Sequence, residues 1–151
     1  MIDKLIGCKL DGASRILNLA SLEFKSKESE SIHLHIQCFF RIVSGSTVLV
    51  SSDDMYECRS NVDPDDFEWD APGQSLYDEC ILEKHKEILF SSAIISAEKN
   101  SIGDLVIRFE NCLELQAFVN STTEDCEMYR IFDEKEHFVV EVGSTRTEEN
   151  V

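Results

Sequence analysis

No unbroken apolar run in this chain approaches the length that spans a bilayer. The first residues, "MIDKLIGCKLDGASRI", hold neither a basic leader followed by an apolar stretch nor a small-residue cleavage site. A cytoplasmic protein is therefore expected. No CxxC pair occurs among the six cysteines, Cys8, Cys38, Cys58, Cys80, Cys112 and Cys126, and their spacing is wide and irregular. Without an export signal that pattern reads as free, mostly buried thiols rather than a disulfide framework. Also missing are a GxSxG, a P-loop and a GxGxxG. Their absence removes the nucleophile elbow and the backbone phosphate cradles that those motifs build. No internal repeat or low-complexity segment is present.

Basic residues are scarce. Fourteen Lys and Arg stand against thirty Asp and Glu, a net charge of −16. The excess is uneven. Residues 51–80, "SSDDMYECRSNVDPDDFEWDAPGQSLYDEC", hold ten acidic residues against Arg59 alone, a local charge of −9. Such a field repels nucleic acid and anionic membranes, and it attracts and steers basic partners. The competing explanation for acidity is solubility alone. With 42% apolar residues and nine phenylalanines, the 151-residue chain has enough material for one folded core rather than a disordered acidic tail.

The patterning predicts short strands and one helix. Residues 4–10 and 15–24 read as a hairpin turning at Asp11-Gly12. A strand over 31–43 follows, then "SGS" as a turn and "TVLVS" as its partner. A long loop carries the only prolines, Pro64 and Pro72. Ser75 with Asp78 forms a capping box for a helix over about 75–91, with Tyr77, Cys80, Ile81, Lys84, Ile88 and Ser91 on one stripe. Leu105, Ile107 and Phe109 then alternate inward, as do Leu113, Leu115, Ala117 and Val119, with Asn111-Cys112 as the turn between them. Two more strands are expected near 126–133 and 137–142. The fold class is α+β: an antiparallel sheet of about eight or nine strands, open or barrel-like, with one main helix near 75–91. Residues 1–143 form a single domain, and 144–151 form a polar tail expected to fray.

"SIHLHIQCFFRI" places two histidines and a cysteine close together, which raises a metal or catalytic site. Read with a period of two, Ile32, Leu34, Ile36, Cys38, Phe40 and Ile42 share one face, while His33, His35, Gln37, Phe39 and Arg41 share the other. That is the alternation of a half-buried strand. A zinc site on His33 and His35 would need further ligands, and only His85 and His137 remain. "DPDDFEWDAPG" is rich in oxygen ligands but has no Gly at the sixth position of a DxD start and no Glu at the twelfth. It reads as a solvated acidic loop. No catalytic residue, metal or cofactor is assigned.

"FEWDAPGQSLYD" sets Trp69, the only tryptophan, with Phe67 and Tyr77 among carboxylates. Aromatic anchors ringed by acids suit a basic protein partner. They also suit a loop tethered to its own core.

Three stretches, "LHIQCFFRIVSGSTVLVSSDDMYE", "GQSLYDE" and "GDLVIRFENCLELQAFVNSTTEDCEMYRIFDEKEHFVVEVG", together resemble small immunity proteins encoded beside bacterial polymorphic toxins, including those of contact-dependent growth inhibition. The resemblance covers most of residues 31–143. It departs at Phe39-Phe40, where a Pro–aromatic pair is expected, and at Asn111-Cys112, which replaces Asn-Gly and disfavours a type I′ turn. It implies a non-enzymatic protein that binds one cognate toxin, often a nuclease with a basic cleft, and neutralises it.

Charge and aromatic content place the partner-binding surface on Asp53, Asp54, Glu57, Asp63, Asp65, Asp66, Glu68, Trp69 and Asp70. A second candidate is Glu124, Asp125, Glu127, Asp133, Glu134 and Glu136. No nucleic-acid or membrane partner is expected. Two other readings stay open: a small-ligand or structural module whose acidity serves solubility, and a metal-dependent enzyme around His33 and His35.

Overall fold

A computed structural model describes residues 1–150. Eleven strands form two antiparallel sheets. The first has the order β1 (Lys9–Ile16), β2 (Leu19–Lys25), β3 (Ser31–Ile36), β9 (Glu127–Phe132), β10 (Glu136–Glu141) and β11 (Ser144–Glu149). The second runs β5 (Thr47–Ser51), β4 (Phe39–Ser44), β8 (Leu113–Phe118), β7 (Leu105–Phe109) and β6 (Ile94–Lys99). One main helical segment, α1 (Leu76–Glu79) to α2 (Lys86–Ser91), joins β5 to β6. The class is α+β, as the patterning indicates. No helix of the described residues is long and apolar enough to cross a membrane.

The alternation that defined residues 31–43 survives in space, but the single expected strand is two. Ile32, Leu34, Ile36, Cys38, Phe40 and Ile42 are all buried. At Gln37 and Cys38 both backbone N–H groups donate to the Met128 carbonyl, at 2.8 and 3.1 Å. There the chain leaves β9 and pairs with β8, so one inward face lines both sheets. Leu22, Phe24, Leu34 and Ile36 of the first sheet share a core cluster with Phe40, Ile42, Ile107 and Leu115 of the second. The sheets also meet where Gly7 donates to Ile94 O and Ile94 to Cys8 O, at 2.7 and 2.9 Å. They do not close into a barrel.

Four expectations need correction. Asp11-Gly12 is a bulge inside β1, with the register shifting between Leu10 and Gly12. Asp11 faces Lys25 at 2.7 Å there, and the turn falls at Leu17-Asn18, with Leu17 at φ 55°. Residues 2–5 form a 3-10 turn, not a strand. Residues 144–149 of the polar tail do not fray but pair along all of β10, although every side chain of β11 is exposed, while Val151 lies outside the described residues. Backbone pairing needs no apolar side chain, so composition misleads at an edge. The helix is broken by a π turn over Cys80–Lys84, where His85 N–H donates to Cys80 O at 2.9 Å. The extra residue rotates the inward stripe, so that Leu89, rather than Ile88, is fully buried. β6 went unseen because Ile95 and Glu98 face solvent in a short, mixed pattern.

Candidate binding surface

The acidic loop is an ordered structure with a closed neck. Leu76 N–H donates to Glu57 O at 2.8 Å and Arg59 N–H to Gln74 O at 3.1 Å, which brings the ends together as in an Ω-loop. The entry is capped. Asp53 N–H donates to Ser51 Oγ and Ser51 N–H to Asp54 Oδ2, at 3.3 and 2.9 Å, opening a 3-10 turn over 52–56. Met55 drops into the core from that turn. Asp63 caps a second turn, accepting from Asp65 N–H at 3.0 Å, with Pro64 at the first helical position, where its missing N–H has no cost.

The far side is anchored by charge. Arg15 of β1 donates from Nε and Nη2 to the Asp78 carboxylate at 3.0 Å each, from Nη2 to Ala71 O at 3.2 Å and from Nη1 to Leu17 O at 3.0 Å. Asp78 also accepts from Gly73 N–H and from Ser75 Oγ, at 3.0 and 2.9 Å. Both side chains are nearly inaccessible, at 3% and 7%. Burial pushes the Asp78 carboxyl up, but the Arg15 and Ser75 hydrogen bonds together hold it below its ordinary value. Arg59 donates to Gly73 O at 2.9 Å and to Glu83 at 2.6 Å.

What this frame presents outward is acid without counter-charge. Asp53, Glu57, Asp63, Asp65, Asp66, Glu68 and Asp70 are exposed, and among the described residues none has a cationic group within 4.0 Å. Asp54 stands apart, half-buried in its cap. Burial raises its carboxyl and the Ser51 N–H opposes that, while Asp53 and Glu57 push it up further. Trp69 is 37% exposed and lies against Tyr56, which is 50% exposed, with ring centroids 5.1 Å apart. Trp69 is therefore not a tether into the core; Phe67 is half-buried.

The second candidate surface is mostly neutralised from within. Glu127 is held by two Arg130 nitrogens at 2.7 and 2.5 Å. Asp133 and Glu136 share Lys4 at 2.7 and 2.9 Å. Burial works against the Asp133 anion, yet Lys4 and two backbone N–H groups take its carboxyl down to about 2. Only Glu124, Asp125 and Glu134 are fully exposed. The loop is the freer field.

The histidines form a stack on the outer face of the first sheet. His33 and His137 lie parallel to Phe132, at 5.0 and 4.8 Å, and His35 meets the ring edge-on at 4.7 Å. Phe132 sits directly between His33 and His137 in the strand register, so those two cannot close on one ion. Among the described residues no group of three or more His, Cys, Asp or Glu could hold a metal ion. The cysteines are free: Cys8, Cys38 and Cys80 are buried, Cys58 is half-buried, and Cys112 and Cys126 are exposed. Burial pushes the Cys38 thiol up to about 12, which leaves it an inert thiol at neutral pH.

Sequence reasoning missed three aromatic residues near the loop. Tyr56 carries Trp69, and Phe39 stacks on Phe118 across β4 and β8 at 5.9 Å. The alternation already placed Phe39 and Phe118 on outward faces, where large aromatics are the informative exception. Fold and surface thus define a two-sheet α+β domain bearing an anchored acidic loop with exposed aromatics. No family model, curated protein or solved structure matches the chain.

Proposed function

We propose that this protein is an immunity-type inhibitor: a non-enzymatic, cytoplasmic protein that binds and neutralises a basic toxin domain, a nuclease in this reading, through the 53–70 loop. One observation carries the proposal. Seven exposed carboxylates without internal counter-charge share with the exposed Tyr56–Trp69 pair a loop whose backbone is fixed at both ends. Pre-fixed anions cost little ordering on association, and their field raises encounter rates with a basic cleft by orders of magnitude. The aromatic pair supplies the desolvated area that holds the complex once formed. An inhibitor of this kind needs no chemistry of its own, because occupying the cleft suffices.

The test is titration with the C-terminal domain encoded by the adjoining gene, at low and high salt, with its toxicity scored in co-expressing cells. Tight one-to-one binding with rescue is expected, weakened by salt and by reversing Asp65, Asp66 and Glu68. Binding that ignores those reversals would move the interface off the loop. No binding and no rescue would sink the immunity reading.

A further inference from the structure

Beside the acidic loop lies an open cleft of about 520 Å³. Its wall includes Gln37, Phe39, Asp53, Met55, Tyr56 and Phe118. Four different parts of the chain build it: Asn18 of the β1–β2 turn, the corner where the chain passes from β3 to β4, the capped 52–56 turn, and the end of β8. Phe39 and Phe118 are half-buried and stacked, and Tyr56 is shared with the Trp69 pair. Aromatic surface therefore runs from Trp69 through Tyr56 to the cleft, with one carboxylate, Asp53, at its edge.

We infer that this cleft receives an arginine side chain of a basic protein partner, its guanidinium stacked between Tyr56 and Phe39 and paired with Asp53. The inference rests on the proposed function only for the statement that the partner is basic. A planar guanidinium is weakly hydrated, stacks on aromatic faces and presents donors in a fork that fits a carboxylate. A lysine offers the charge without the plane. Within the same aromatic group, Arg41 already lies over Phe118, 5.6 Å from the ring centroid, and is held there by Gln116 at 2.7 Å. That contact engages Phe118 and leaves Phe39, Tyr56 and Asp53 for the incoming group. A nucleotide base could also stack here, but its phosphates would face Asp53 and a chain of net charge −16. An arginine meets both the rings and the charge. Tyr56, Phe39 and Asp53 are then the centre of the interface, and Asp63 to Asp70 act as its steering rim.

The direct test follows backbone and ring signals of the isotopically labelled protein by NMR during titration with N-acetyl-arginine methylamide. The lysine and citrulline counterparts serve as probes of charge without plane and plane without charge, respectively. Shifts confined to Phe39, Asp53, Tyr56 and Phe118 are expected, saturating weakly at a Kd of roughly 1–10 mM. The citrulline compound should bind roughly three- to fivefold more weakly. Asp53→Asn should lower the affinity by a similar factor, and Tyr56→Ala should abolish the shifts with the strand signals of β4 unmoved. Equal binding of arginine and citrulline compounds would overturn the inference, as would shifts spread over Asp63–Asp70 instead of the cleft. No shift at about 50 mM ligand would do the same. None of these outcomes touches toxin binding, so this inference and the proposed function fail separately.

Discussion

The same local device occurs twice in this chain, with opposite electrostatic results. Ser51–Asp54 and Ser75–Asp78 are both capping boxes, with reciprocal hydrogen bonds between a serine and an acid three residues on. Burial opposes both anions. Asp78 nevertheless ends below its ordinary value because Arg15 and Ser75 donate to it, whereas Asp54, with only the Ser51 N–H to oppose its burial, ends above, and Asp53 and Glu57 add to the rise. Burial and capping are common to both, so the long-range partner decides the sign. One box closes the fold, and the other belongs to a surface held at uncompensated negative charge.

Replacing each acid by its amide isolates that difference. Asp78→Asn leaves the Arg15 guanidinium, 3% exposed, without its counter-charge, and the cost is about 3–5 kcal/mol. Asp54→Asn keeps an acceptor for the Ser51 N–H and removes a crowded charge, so stability at pH 7 should be unchanged or slightly higher. Urea unfolding of the two variants at pH 7 checks this. Equal losses would show that capping geometry, not the Arg15 pair, dominates at both sites.

Acid titration sharpens the same contrast. A depressed carboxyl contributes stability that is present above the unfolded value, near 3.8, and is lost as pH falls through the lower folded value. The deficit of Asp78→Asn should therefore shrink only below about pH 3.8. A raised carboxyl does the reverse. Its contribution is complete below the unfolded value and is lost as pH rises through the folded one. Any advantage of Asp54→Asn should thus shrink as pH falls from neutral toward about 3.8. Unfolding free energies measured across pH 3–7 for wild type and both variants should show the two windows on opposite sides of that value.

How much of this was legible beforehand follows the range of the interaction. The Ser75–Asp78 box spans three residues and was read correctly; Arg15, sixty-three residues from Asp78, was not, because nothing local marks it as a partner. Inward faces of β3, β4, β7 and β8 follow from alternation, but where the strand passes between sheets depends on Met128, far along the chain. The acidic loop was visible as composition, while the cleft beside it needs four distant segments to meet. Turn chemistry failed in an instructive way at the β7–β8 hairpin. The pair Asn111-Cys112 argues against positive φ at both positions, yet both residues sit at φ 61°. Strand pairing on both sides imposes the conformation on an exposed cysteine that resists it. Cys112→Gly should raise stability by about 0.4–1 kcal/mol, because relief of the left-handed strain outweighs the extra freedom that glycine gives the unfolded chain, with no charge involved. A loss on thermal unfolding would mean that the Cys112 side chain contributes more than its backbone costs.

The smallest expected effect tests the other half of the comparison. If Asp65, Asp66 and Glu68 serve a partner and not the fold, neutralising all three as Asn, Asn and Gln should leave stability within about 0.5 kcal/mol. These side chains are exposed and have no ion pair to lose. Removing three like charges from the 51–80 segment, of local charge −9, relieves repulsion, so any change should be a slight gain. The carboxylates accept few hydrogen bonds in this region, and the cap on the second turn comes from Asp63, which the variant keeps. Chemical unfolding of the triple variant is the measurement. A loss comparable to that of Asp78→Asn would mean that the loop's acids hold the fold after all, and the division between anchored and presented carboxylates would collapse.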